Sequence, residues 1–262
     1  MKKNNFTPIE NIINVAKKGG MFILVDDEKR ENEGDLIIST SDSNSKNINF
    51  MAKYGRGLIC LALDSAQAKK LNLSLMSPIN QSRNKTAFTV SIEAKKGITT
   101  GISARDRAKT IKIASKKNVK KNEIVSPGHV FPIIAKDGGV LVRAGHTEAS
   151  VDISRLAKKN NSAVICEIMN EDGTMAKGLD LFNFAEKHKL KIGKIEDLIA
   201  YRLKKEKLIK IKKQSNIDVK NQKYKIRIYE NLLDGSEHFL SLIHISEPTR
   251  RYAISYAVFC LK

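Results

Sequence analysis

Met21-Phe22-Ile23-Leu24-Val25 is an unbroken apolar run, and Asp26-Asp27-Glu28-Lys29-Arg30-Glu31-Asn32-Glu33-Gly34-Asp35 follows it directly. The run reads as a buried strand. The acidic stretch therefore lies at a sheet end, where sites are often built. It holds six of the chain's 28 acidic residues, against a net charge of +19. Such a concentration is costly unless something cationic neutralises it. Glu31, Glu33 and Asp35 alternate, so in an extended chain they point to one side. Hard oxygen ligands of this kind suit Mg²⁺ or Mn²⁺. Arg30 suits a phosphate or a sugar hydroxyl. The competing reading is a solvated acidic turn, and composition alone leaves both open.

Upstream, Thr7-Pro8-Ile9-Glu10 predicts a helix start with Thr7 as cap and Glu10 completing a capping box. Ile9, Ile12, Ile13 and Ala16 share one face, and Gly19-Gly20 ends the helix. Downstream, strands are expected at Gly57–Ala62, Ala87–Ile92, Gly139–Arg143 and Ala163–Ile168. Helices are expected at Asn47–Tyr54, Ser65–Leu71, Ala104–Ile113, Glu148–Lys159, Leu179–His188 and Ile195–Leu203. Ser103, with Asp106 three residues on, and Thr147 mark two helix starts. Strands mixed with helices argue a layered α/β or α+β domain ending near Leu203. Lys204–Lys223 is Lys-rich with little apolar periodicity and reads as a linker.

The chain has 262 residues and is 41% hydrophobic, enough to bury a core. No run of about 18 apolar residues exists, so no membrane span is expected, and the N-terminus lacks a signal-peptide stretch. Cys60, Cys166 and Cys260 are far apart and odd in number, which fits a reducing cytoplasm. The positive charge is scattered over Lys residues, as in proteins of AT-rich genomes. With 6% aromatics and no Trp, few rings are available to stack bases, and no recognised nucleic-acid motif is present.

Four further segments carry chemistry. In Ser126-Pro127-Gly128-His129-Val130-Phe131-Pro132, His129 is expected on a loop stiffened by prolines; a lone His is more often structural than catalytic. Arg143-Ala144-Gly145-His146-Thr147-Glu148 places Arg and His at a helix start. Its backbone N–H groups and Arg143 make an anion site, and His146 suits a mixed carboxylate–imidazole metal site. The plain alternative is an ordinary turn capped by Thr147. Glu167 interrupts an apolar strand, where a carboxylate needs a partner or a raised pKa, unless it faces solvent. Cys166 beside it reads as core. Gly97–Arg107, rich in Gly and hydroxyls, either holds phosphate or caps the helix that follows.

These segments, with Thr99-Thr100-Gly101-Ile102-Ser103, Arg143–Ser150 and Cys166-Glu167-Ile168, run in the order and spacing of the 3,4-dihydroxy-2-butanone 4-phosphate synthase family. The resemblance covers about residues 6–203. It implies an α+β fold, a layered α/β sandwich with a mixed sheet. It also implies conversion of D-ribulose 5-phosphate to 3,4-dihydroxy-2-butanone 4-phosphate and formate, with Mg²⁺ or Mn²⁺, in riboflavin biosynthesis. Glu31 and His146 then correspond to metal ligands. Arg30, Glu31, Asp35, Arg143, Ala144, Gly145, His146, Thr147 and Glu167 correspond to substrate contacts, and His129 and Glu167 to the residues essential to catalysis. The family's homodimers, with sites at the subunit interface, imply that the acidic loop and His146 meet across chains. Lys158-Lys159-Asn160-Asn161-Ser162 departs from the family's Gly- or Pro-containing turn.

The expected organisation is thus a synthase domain over residues 1–203, the linker over 204–223, and over 224–239 the truncated start of a GTP cyclohydrolase II-like domain. The last rests on Tyr229–His238. The Cys-rich zinc site of that second activity is absent, so no cyclohydrolase activity is expected. Leu240–Arg250 and Ile254–Lys262 resemble a translated sequencing adapter, so residues 240–262 are expected to be artefact and His244 and Cys260 to carry no meaning. Two rivals stand beside the lyase: a nucleic-acid binder, suggested by a pI of 9.8, and a relic without activity, against which the intact set Glu31, Asp35, His129, His146 and Glu167 argues.

Overall fold

The structure is a computed structural model that describes residues 6–219, 222–243 and 258–259. The chain divides into two units, residues 1–202 and 203–262. In the first, a seven-stranded sheet has the order β4-β5-β3-β6-β2-β1-β7. The strands are β1 (Phe22–Val25), β2 (Gly34–Ser39), β3 (Cys60–Leu63), β4 (Ile92–Ala94), β5 (Ile124–Ile134), β6 (Ser162–Glu167) and β7 (Lys191–Lys194). Pairing is mixed: β1 with β7 and β3 with β5 are parallel, the other contacts antiparallel.

Strand parity divides the core. Ile23, Val25, Leu36, Ile38, Val164 and Cys166 face one layer, with Ile48 of α2 (Ser45–Phe50), Ala108 and Ile111 of α4 (Ala104–Ala114), and Leu181 of α6 (Leu179–Lys187). Phe22, Leu24, Ile37, Ala163 and Ile165 face the other. There they meet Ile12 of α1 (Ile9–Lys17), Ile153 of α5 (His146–Leu156) and Leu198 of α7 (Ile195–Lys205). Each of these large side chains contributes about 1.5–3 kcal/mol on burial. The result is the expected layered sandwich around a mixed sheet. A short α3 (Ser65–Lys70) is capped by Asp64, which accepts from Gln67 N at 2.7 Å.

Several local expectations are corrected. Thr7 does not cap α1; its N–H donates to Ile192 O at 2.7 Å beside β7, and Pro8 takes the N-cap position. Gly139–Arg143 is not a strand. Gly138 and Gly139 take positive φ values of 89° and 63°, which turn the chain into a 3₁₀ helix at Gly139–Leu141. The expected strand Ala87–Ile92 reduces to isolated bridges at Phe88 and Thr89, with β4 starting at Ile92. The proline-bracketed His129 segment lies within β5, not in a loop. α5 starts at His146 with Gly145, not Thr147, at its cap. Ser103 does cap α4, accepting from Asp106 N at 3.0 Å. Asp106 accepts in turn from Thr99 N and Oγ1 and from Gly101 N, so the Gly97–Ser103 loop is spent on this cap.

The second unit is a sheet of β8 (Ile209–Val219), β9 (Gln222–Asn231), β10 (Glu237–Ile243) and β11 (Val258–Phe259), antiparallel in that order. The segment expected as a linker over 204–223 is therefore largely strand. A register shift between Ile211 and Lys213 interrupts its alternation, which hides a strand from a period-2 reading. Lys210 pairs with Glu230 of β9, and Lys212 with Glu237 of β10, one strand further. Apart from residues 240–243 and 258–259, the adapter-like end lies outside the described residues.

Candidate active site

Asp26 to Glu33 form the connection of the β1–β2 hairpin, closed by Asp26 N to Glu33 O at 3.3 Å and by Glu33 N to Asp26 Oδ1 at 2.9 Å. Asn32 takes a left-handed φ of 53° within it. Lys177, ahead of α6, donates to Glu31 O at 2.8 Å. Gly34 packs so closely on α6 that a Cβ there would lie 2.7 Å from Leu181 Cδ2. The acidic stretch is thus a pinned loop, not a freely solvated one.

Asp35 and Glu167 are direct partners across β2 and β6. By parity both face the layer that holds α5, whose first residue is His146. A cavity of about 210 Å³ opens there, walled by Arg30, Glu31, Glu33, Asp35, Arg143, His146, Thr147 and Glu167, with Thr86, Phe88, Ile133 and Ile165. One ligand atom each from Asp26, Glu31 and His146 lie within 4.8 Å of one another. Arg30 Nη1 bridges two of these groups, 2.5 Å from Asp26 Oδ2 and 2.7 Å from Glu31 Oε2. Five carboxylates, those of Asp26, Glu31, Glu33, Asp35 and Glu167, outnumber the two guanidinium groups of Arg30 and Arg143.

That excess charge is visible in the proton affinities. Burial, then Glu31, Asp26 and Glu33, hold the Asp35 carboxyl well above its ordinary value. Burial, then Glu31, push Glu33 up. Burial and then Asp35 push Glu167 up to about 7. Burial lowers His146, which favours its uncharged imidazole, and its approach of 3.8 Å to Asp35 is beyond hydrogen-bond range. His146 Nε2 and Glu167 Oε2 are buried with no hydrogen-bond partner, which is unusual unless a ligand completes them. Gly57 closes the wall behind Glu167, since a Cβ would lie 2.5 Å from Oε2.

The structure brings Arg30, Glu31, Asp35, Arg143, His146, Thr147 and Glu167 together; Ala144 and Gly145 do not line the cavity. The acidic loop and His146 meet within one chain, not across two. His129 is elsewhere: its side chain is 44% exposed and its Nδ1 pairs with Glu93 Oε1. Arg143 is already engaged, with Nη1 2.7 Å from Glu148 Oε2 and Nη2 donating to Asn84 O and Thr86 Oγ1 at 3.0 Å. Sequence reasoning left Asp26 without a role and passed over Asn84 and Thr86. Only the residue type of Asp26 signalled it, and nothing local distinguished Asn84.

The fold and cavity define a three-layer α+β protein with a buried acidic pocket at the ends of its central strands β2 and β6. The chain belongs to the 3,4-dihydroxy-2-butanone 4-phosphate synthase family, whose model matches residues 10–201. It is 50% identical over 234 residues to the riboflavin biosynthesis protein RibBA of Aquifex aeolicus, spanning 88% of this chain but 58% of that protein. It is 45% identical to a 3,4-dihydroxy-2-butanone 4-phosphate synthase of Pseudomonas syringae pv. tomato, covering 94% of this chain and 70% of the relative. Among solved structures, RibBX of A. baumannii, a two-domain synthase, superposes with a TM-score of 0.82 at 44% identity, over 90% of this chain and 70% of that one. A synthase in complex with two magnesium ions superposes with a TM-score of 0.73 at 38% identity, over 76% and 98%. No helix among the described residues is long and apolar enough to cross a membrane.

Proposed function

We propose that the chain converts D-ribulose 5-phosphate to 3,4-dihydroxy-2-butanone 4-phosphate and formate in riboflavin biosynthesis, as a homodimer using Mg²⁺ or Mn²⁺. The observation that carries this reading is the Asp26, Glu31 and His146 cluster, with ligand atoms within 4.8 Å of one another and His146 Nε2 buried and unpartnered. Two carboxylates and an imidazole in an acidic pocket suit a hard divalent cation. Glu31 and His146 would hold it, with Asp26 as a third donor. When bound, the cation polarises the substrate's ketone and adjacent hydroxyls.

The chain's own groups supply the rest. Glu167, pushed up to about 7, is suited to accept a proton from a sugar carbon and return it later. Asp35, beside it, accepts from a substrate hydroxyl. Arg143 and the N–H groups of His146 and Thr147 in the first turn of α5 take the phosphate; Arg30 steadies the hydroxyl end. The five-carbon phosphate parts with one carbon as formate, with no net gain or loss of water. His129 lines no wall of its own chain's cavity, so we assign it to the site of the second subunit.

The test is formate release from ribulose 5-phosphate by the purified protein, with Mg²⁺ and with EDTA. Metal-dependent formate is expected. Folded protein that releases none in Mg²⁺ or Mn²⁺ overturns the reading.

A further inference from the structure

Between Leu73 and Ile92 the chain crosses to the cavity without forming a helix or strand. The tip of this segment is laced by the Asn80 side chain and by a backbone turn. Asn80 Nδ2 donates to Thr86 O at 2.8 Å, Ser82 N donates to Asn80 Oδ1 at 3.0 Å, and Lys85 N donates to Ser82 O at 3.0 Å. Lys85 takes a left-handed φ of 48°, uncommon for a residue with a side chain and concentrated at functional sites. On either side of that kink, two consecutive functions are served. Asn84 Nδ2 donates to Glu31 Oε1, on the acidic loop. Asn84 O and Thr86 Oγ1 both accept from Arg143 Nη2 at 3.0 Å.

Glu31 is therefore gripped from two sides, by Arg30 on Oε2 and by Asn84 on Oε1. An amide on a carboxylate oxygen fixes its orientation while leaving it a lone pair, which is what a hydrogen-bonded outer partner does for a metal-ligating carboxylate. We propose that Asn84 is a positioning residue, orienting Glu31 toward the cation shared with Asp26 and His146, while the Asn84–Thr86 segment holds Arg143 at the anion end of the cavity. The inference rests on the metal reading above. It adds one link: the cation and phosphate ends of the pocket are set by three consecutive residues of one loop, far in sequence from both.

Mg²⁺ is titrated calorimetrically into the metal-free protein, with no substrate present. Asn84→Ala is expected to weaken binding by about 10- to 100-fold, the usual loss for such a partner. Asn84→Leu, similar in size but without a donor, is expected to match it. Thr86→Val is expected to keep Mg²⁺ affinity within about twofold and to raise KM for ribulose 5-phosphate, because it loosens Arg143 alone. Asn84 is half-buried and lies outside helices and strands, so thermal melts of all three are expected to follow wild type. If wild type binds no Mg²⁺, the metal reading falls and this inference with it. If wild type binds and the two Asn84 variants bind equally well, Asn84 is loop packing and only this inference is overturned.

Discussion

Replacing Glu167 with Gln is expected to stabilise the metal-free protein while abolishing formate release. Glu167 is pushed from 4.5 to about 7 by burial and then by Asp35, its partner across the β2–β6 ladder. A carboxyl whose folded pKa exceeds its unfolded value favours the fold fully below the unfolded value. That contribution is lost as pH rises through the folded value. From pH 4.5 to about 7 the loss approaches about 3 kcal/mol, at roughly 1.4 kcal/mol per pKa unit. Gln bears no charge at any pH and keeps an oxygen to accept from the Leu58 N–H that now bonds the carboxylate. Its amide replaces Oε2, which has no partner to lose. Urea unfolding in EDTA at pH 8 should therefore show Glu167→Gln more stable than wild type by up to about 3 kcal/mol, with the gain shrinking through pH 6 and gone near pH 4.5. Asp35 is raised in the same direction, so part of the gain reports its release from a charged neighbour. A variant no more stable than wild type at pH 8, or a gain that does not change with pH, refutes the reasoning. Stability gained where activity is lost is the expected sign of a functional carboxylate kept in a costly place.

Two other outcomes follow from the same structure. Glu31→Ala should remove metal-dependent turnover and keep the fold; in thermal melts it should lose most of the stabilisation that Mg²⁺ gives wild type, about 2.7 kcal/mol at a concentration 100 times Kd. Arg202→Met should cost about 3–5 kcal/mol in urea unfolding, because it strips Asp152 of a buried partner 2.7 Å away and loosens α5, which carries His146.

Much of the frame was legible in the chain. Unbroken apolar runs gave β1 and β6, since a strand buried on both faces needs no distant information to be recognised. Helical periodicity located α1, α4, α6 and α7, and Ser103 with Asp106 marked a true cap, because both signals act within a few residues. β2 and β5 were not legible as strands. β2 starts inside the acidic stretch, and β5 carries two prolines; Pro132 still serves the sheet edge by accepting from Thr89 N at 3.0 Å.

The site divides along the same line. Residue type alone marked the acidic stretch, His146 and Glu167 as chemistry, because clustered carboxylates in a basic chain, or a carboxylate in an apolar strand, demand compensation. Which of them meet is a matter of register. Asp35 faces Glu167 because β2 and β6 pair in one alignment, and a slip of β2 by one residue would turn Asp35 to the other layer. Tertiary structure alone gave Asp26 its place beside Glu31 and His146, sent His129 out of its own chain's cavity, and set Asn84 against Glu31. Local propensity cannot encode how His146 and Asn84 reach the acidic loop, since those segments are held together only by the packed domain.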